Sequence, residues 1–321
     1  MLPMFSVSVD IDSLDCYYRI HGLEPSSHAH RSIIYRHCVT RFAELFASLG
    51  IPATFFVVGR DVDVSARGDR FGDARDARLI ISQLASQGHE ISSHSYSHPY
   101  ALASFERAEV ELEIGRVHRV LSAITGSAPR GFRAPGYDLS PLMQAALIER
   151  GYLYDSSMFP TPGYYLAKAA IMAGMRLLGK PSGAVLTNPR ALQAPAEPYR
   201  PSLKAPWRRG QAPLVELPIA VAPYSRIPVI GTSLLLAPQK VRQWLISAMT
   251  KREHFNFELH AIDLADAQMD GLPAELIARQ PDLRVPLANK RRALLEILTY
   301  AKDHFEVRTL EQAALEFAAL V

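Results

Sequence analysis

The 321-residue sequence predicts an α/β fold, an irregular (β/α)7-type barrel built as a single domain over residues 1–321. Three observations predict it. Apolar runs of strand length alternate with amphipathic stretches of helix length, which argues for parallel strands with helices outside. Roughly seven such units can be traced at uneven spacing, as expected of a distorted barrel. Polar residues able to bind metal or carry protons stand where three of the runs end, and in parallel sheets those C-terminal strand ends share one face.

The elements follow in chain order. Phe5-Ser6-Val7-Ser8-Val9 alternates as a strand and closes on Asp10-Ile11-Asp12. A helix is expected near Tyr35 to Leu49, stopped at Gly50, then a buried strand from Ala53 to Val58. Arg75 to Ser86 reads as a helix ended by Gly88. His89 to Ser93 is a short run that leads into His94-Ser95-Tyr96-Ser97-His98. Phe105 to Ile124 places Val110, Ile114, Val117 and Leu121 at helical spacing, with Ser104 as the expected N-cap and Gly126 as the stop. Short strands are expected at Gly131-Phe132-Arg133 and Leu153-Tyr154. Between them a helix opens on Ser140-Pro141 and runs to Gly151. Leu214 to Ile219, a helix near Pro238 to Met249, and the strand Phe255 to Leu259 complete the sheet. Helices near Leu287 to Lys302 and Leu310 to Leu320 follow it.

Residues 160–213 break the rhythm. Their crowded prolines predict an irregular insertion, with helical character near 164–180. On a helical wheel Lys168, Arg176 and Lys180 share one arc, with Leu166, Ile171, Met175, Leu177 and Leu178 outside it.

Composition narrows the function classes. With 48% hydrophobic and 21% charged residues the chain can bury a large core, and its net charge of +3 gives no argument for nucleic acid. No uncharged apolar stretch reaches the roughly 18 residues of a spanning helix. The N-terminus has no basic segment of the secretory kind, and Cys16 and Cys38 alone make no disulfide framework. A cytoplasmic protein with free thiols is expected, Cys16 as a small buried residue. His21, His28, His30, His37, His89, His118, His254 and His304 are expected to be structural or exposed, with His28-Ala29-His30 in a loop able to approach the site.

The strand-end residues suggest hydrolysis. Asp12, His94 and His98 offer one carboxylate and two imidazoles, a three-ligand set that leaves positions open for water and substrate. A cation there would polarise a carbonyl and acidify water. Asp10, two residues before Asp12, points to the same side of the strand and can accept the water's proton; His260 can donate one to a departing amine. Pro99 directly after His98 favours a loop or single turn over a helix for the two histidines.

In order and spacing these motifs resemble the polysaccharide deacetylases (carbohydrate esterase family 4, the NodB-homology domain). The quoted residues are Asp10-Ile11-Asp12, His94-Ser95-Tyr96-Ser97-His98, Arg133-Ala134-Pro135-Gly136-Tyr137, Asp155-Ser156-Ser157 and Leu259-His260. The resemblance spans about residues 5 to 310 and leaves out the insertion. It implies the barrel of that family, with Asp10 as base, Asp12, His94 and His98 as ligands of Zn2+ (or Co2+, Ni2+, Mn2+), and His260 as acid. It implies that Arg133 tunes Asp10 and that a backbone N–H at Gly136 or Tyr137 holds the oxyanion. Leu259 would belong with Gly136 and Tyr137 to the substrate and oxyanion side, and Asp155 would support His260. Ser156-Ser157-Met158 departs from the tryptophan that relatives often carry beside that aspartate.

The expected activity is removal of an acetyl or formyl group from the nitrogen of an amino sugar, a polyprenyl-phosphate-linked or other cytoplasmic glycan precursor. The basic helix and Trp207-Arg208-Arg209 would sit at the inner membrane face. Hydrolysis of a non-sugar amide (a ureide or cyclic imide) is the alternative, and a glycan-binding pseudoenzyme the non-catalytic one.

Overall fold

The computed structural model describes residues 2–24, 32–66, 73–177 and 186–320. Strands are β1 (Met4–Ile11), β2 (Thr54–Val57), β3 (Glu90–Ser93), β4 (Gly131–Phe132), β5 (Tyr154–Asp155), β6 (Val215–Glu216), β7 (His254–His260) and β8 (Glu306–Val307). Helices are α1 (Leu14–Ile20), α2 (Thr40–Leu49, entered through a π-turn at Ile34–Val39), α3 (Gly59–Val62), α4 (Asp73–Ser86), α5 (Arg107–Thr125) and α6 (Pro141–Glu149). There follow α7 (Pro162–Leu177), α8 (Gly231–Leu236), α9 (Gln239–Ala248), α10 (Ala274–Arg279), α11 (Leu287–His304) and α12 (Leu310–Leu320).

All ladders are parallel, in the order β6-β5-β4-β3-β2-β1-β7. β8 pairs with β1 at Met4 and Phe5, ahead of the Ser8–Ile11 stretch that pairs with β2. The sheet curls without a ladder between β6 and β7. Across that gap runs one backbone bond, Ala220 N–H to the Asn256 carbonyl at 3.1 Å. The Asn256 amide also donates to the carbonyls of Leu217 (2.9 Å) and Pro218 (3.2 Å). The barrel is therefore irregular: a side chain bridges the seam that a strand pair would otherwise close.

Alternation sorts the two faces. Phe5, Val7 and Val9 of β1 and Phe255, Phe257 and Leu259 of β7 face the helices and form the main apolar core with Phe42, Phe46 and Leu294. Ser6, Ser8, Asp10, His254, Asn256 and Glu258 turn the other way, into the curl, and are all buried. Polar groups so placed need partners: His254 Nε2 meets Ser6 Oγ of the neighbouring β1 at 2.9 Å, and the Asn256 amide reaches Ser156 Oγ beyond β5 at 2.9 Å.

Two local expectations change. The N-terminus of α5 is capped at Glu106, whose N–H donates to Glu109 Oε2 at 3.1 Å; Ser104 belongs to the preceding 3-10 turn. In the segment after Pro160, α7 lies with its apolar side out. Leu166, Ile171 and Leu177 are 67%, 64% and 88% exposed, whereas Lys168 is half-buried. Arg176 is exposed; Lys180, Leu178, His28 and His30 lie outside the described residues.

Candidate active site

Register carries the site. Asp10 pairs with His260 and with Phe56, and His94 stands one residue beyond β3, so neighbouring strands deliver these side chains to one rim. The His94–His98 loop is not helical: Ser95 (φ 62°) and His98 (φ 56°) take the left-handed conformation, which side chains adopt at some cost. Partners hold it there. Glu113 of α5 accepts the N–H groups of Tyr96 (3.0 Å) and Ser97 (2.8 Å), and Ser95 Oγ accepts the His98 N–H at 3.1 Å.

The loop presents both imidazoles to one carboxylate oxygen. His94 Nε2 and His98 Nε2 stand 3.2 and 3.1 Å from Asp12 Oδ1. All three residues are buried, yet Asp12 Oδ1 lacks a partner of hydrogen-bonding geometry among the described residues. His94 Nδ1 faces the Arg133 carbonyl at 2.8 Å, an acceptor that keeps a proton on that nitrogen and leaves Nε2 toward Asp12. Lone pairs converging this closely call for a proton or a cation between them. The donor set and the orphaned oxygen fit a divalent ion. Burial alone would raise the Asp12 pKa, but the His98 and His94 imidazoles hold it well below the usual range. Burial would lower that of His98, and the Asp12 carboxylate carries it well above.

A second group, Asp10, Glu258 and His260, adjoins the first. Asp10 Oδ1 accepts from Arg133 Nη1 at 2.6 Å; its Oδ2 is buried without a partner among the described residues. Burial raises the Asp10 pKa against the opposing pull of the Arg133 charge. Arg133 is wholly buried over the Phe56 ring (4.2 Å) and also donates to Ser8 Oγ, Ser156 Oγ and the Ser156 carbonyl at 3.0, 2.8 and 2.9 Å. His260 Nδ1 lies 2.9 Å from Glu258 Oε1, and its Nε2 3.3 Å from the Tyr137 hydroxyl and 4.0 Å from Asp12 Oδ2. Burial would depress the His260 pKa; the Glu258 carboxylate overrides it and carries the imidazole well above its ordinary value. Leu259 turns away from this rim into the apolar core.

Two expected roles are corrected. The carboxylate on His260 is Glu258, two residues earlier on the same strand face, and not Asp155. Asp155 instead accepts the Ser157 N–H (3.0 Å) and hydroxyl (2.8 Å) beside Glu216, and Ser157 Oγ takes the Ala134 N–H at 2.8 Å. Asp155 thus braces the loop that carries Gly136. The Tyr137 N–H closes a turn onto the Ala134 carbonyl at 3.1 Å, which leaves Gly136 as the backbone candidate for an oxyanion; Tyr137 contributes its hydroxyl, donated to Glu258 at 2.9 Å. Leu259, expected on the substrate and oxyanion side, is instead buried in the main apolar core. Glu258 was legible only as an inward residue in the alternation Asn256, Glu258, His260. Ser8, Glu113, Ser156 and Ser157 carried no motif at all.

Aromatic rings also reach the site. Tyr137 packs edge-on against Phe159 (5.3 Å), and Phe159 against Tyr164 of α7 (5.4 Å), a row leading outward from the catalytic rim.

Residues 33–154 match the family model described as polysaccharide deacetylase. That segment contains His94, His98 and Arg133, while Asp10, Asp12 and His260 lie outside it. The chain is 26% identical over 120 residues to a peptidoglycan deacetylase of Helicobacter pylori, covering 37% of this chain and 36% of that one. It is 30% identical over 140 residues to a chitooligosaccharide deacetylase of Sinorhizobium fredii, covering 41% and 59%. The alignments thus span about a third to three-fifths of these relatives' lengths. In fold, a Mycobacterium smegmatis structure described as a polysaccharide deacetylase superposes with a TM-score of 0.61 at 18% identity, covering 99% of this chain and 90% of the other. Residues 33–154 thus match the polysaccharide deacetylase model, and the chain shares the fold of a structure so described.

Proposed function

We propose that this chain hydrolyses the N-acyl amide of an amino sugar, with a divalent cation, zinc by preference, held by Asp12, His94 and His98. The supporting observation is a base and an acid gathered beside that cluster: Asp10, whose buried Oδ2 has no partner among the described residues, and His260 with Nε2 facing Asp12. When bound, the cation supplies Lewis acidity to the acyl carbonyl and lowers the pKa of a water. Asp10 Oδ2 takes the proton from the attacking water, while Arg133 fixes the other carboxylate oxygen. The Gly136 N–H stands as oxyanion donor. His260, oriented through Nδ1 by Glu258, gives a proton to the leaving nitrogen as the carbon–nitrogen bond breaks. A carboxylate and a free amine leave the site.

The substrate reading rests on two features of the rim. The exposed Tyr164 ring, backed by the buried Phe159 and Tyr137, suits the apolar face of a sugar ring and weighs against the non-sugar amide alternative. The side chains that a pseudoenzyme would lack are all present, which weighs against that reading. Beside the row, α7 exposes Leu166, Ile171 and Leu177, a face that suits a membrane surface and, with it, a lipid-linked sugar. None of the described helices is long and apolar enough to cross a membrane. Work at the cytoplasmic face of a membrane is the location this reading implies.

The test is release of amine from N-acetyl and N-formyl aminosugars, free and polyprenyl-phosphate-linked, by metal-loaded protein. Amine from a sugar substrate supports the reading, and preference for the lipid-linked panel supports its finer part. Turnover of ureides with none of sugars would replace it.

A further inference from the structure

Cys16 takes no part in the reaction above, yet it is the side chain on the outer nitrogen of one histidine of the proposed metal centre. It lies in α1, four residues beyond Asp12, and is 1% exposed. Its Sγ is 3.5 Å from His98 Nδ1, receives Arg19 Nη2 at 3.3 Å and lies 3.6 Å from Ser13 Oγ. Tyr100 closes the adjacent side: its ring meets His98 edge-on at 4.8 Å, and the Arg19 guanidinium stands 5.9 Å from the same ring. His94 is held differently, through the Arg133 carbonyl at 2.8 Å.

A histidine that ligates a metal through one nitrogen is aimed by whatever binds the other. For His98 the need is acute, because its backbone sits at a positive φ and does not fix the ring by itself. We propose that Cys16 is a positioning residue of the metal centre: its sulfur accepts the His98 Nδ1–H, which fixes the tautomer that turns the Nε2 lone pair toward Asp12. Arg19 in turn anchors the sulfur. The inference rests on reading Asp12, His94 and His98 as the cation site.

Cobalt titrated into metal-free protein tests both. Affinity is read by competition with a chelating dye, and geometry by the visible absorption of bound cobalt. Cys16→Ala is expected to weaken binding by about 10–100-fold and to alter the cobalt spectrum, in protein that still unfolds cooperatively without metal. Cys16→Ser, which keeps an acceptor, is expected to recover most of the affinity. Wild-type affinity and spectrum in the alanine variant overturn the inference, as does an equal loss in the serine variant, which would assign the effect to packing. If the alanine variant does not fold, Cys16→Val replaces it under the same criteria. Failure of the wild type itself to bind cobalt removes the metal centre and the inference together, a result distinct from the other two.

Discussion

At the scale of single residues, the site divides its charges between two jobs. Asp12 is held ionised by the imidazoles, while burial lifts Asp10 toward the range where a carboxylate can take and release a proton. Asp10→Asn keeps the shape and a partner for Arg133 but removes the base. A fall in kcat of about 10²–10⁴-fold is expected, with cobalt affinity in the dye competition unaltered; activity within a few-fold of wild type would assign the base elsewhere. Glu258 makes a different prediction. It holds the His260 pKa up, so Glu258→Gln lowers it. An acid is lost as pH rises through its pKa, so the descending limb of the kcat–pH profile should move to lower pH, while the ascending limb, where Asp10 ionises, keeps its direction. An unmoved descending limb would mean that His260 is not the proton donor.

At the scale of elements, the barrel's seam and its catalytic arginine are one network. Asn256 of β7 binds the chain beyond β6 and also Ser156, and Ser156 holds Arg133 against Asp10. Asn256→Ala strands the buried Pro218 carbonyl, leaves that of Leu217 to the Ser156 hydroxyl alone, and removes a donor from Ser156. The expected loss is about 1–3 kcal/mol, read from the denaturation midpoint at constant slope, together with reduced kcat; a variant as stable as wild type would show that the seam needs no bridge. These elements differ in how far the sequence discloses them. β1, β2, β7 and the long helices α4, α5 and α11 carry enough alternation or periodicity to be legible. β4, β5 and β6 have two residues each, and their burial comes from the curl around them. α1, α8, α10 and β8 are too short for a period to register. The ligand triad and Asp10 are legible because strand ends concentrate them. Glu258 is not, because an inward glutamate among inward polar residues looks like any other member of a polar face, and Cys16 reads as a small buried residue until the fold brings it to His98.

At the scale of the whole molecule, the surface to account for is α7, whose basic arc was expected to meet the inner membrane face. The fold half-buries Lys168 and leaves Arg176, Leu166, Ile171 and Leu177 exposed, on the helix whose Tyr164 ends the aromatic row. Exposed apolar residues on a helix that buries none of its side chains lose hydration free energy unless something apolar covers them. A bilayer surface does so, and it would also bring a lipid-linked sugar to the rim. Burying one such side chain is worth about 1.5–3 kcal/mol. Leu166→Glu with Ile171→Glu should therefore weaken binding to phosphatidylethanolamine–phosphatidylglycerol vesicles by about a hundredfold or more, measured by flotation. Turnover of a soluble N-acetyl aminosugar should persist, because neither side chain touches Asp10, His260 or the ligand triad. Equal flotation of variant and wild type, or flotation of neither, would mean that α7 does not dock on lipid and that the outward leucines serve another partner. Loss of turnover on lipid-linked substrate alone would tie the docking face to the reaction, since the same two changes would then separate reaching the substrate from hydrolysing it.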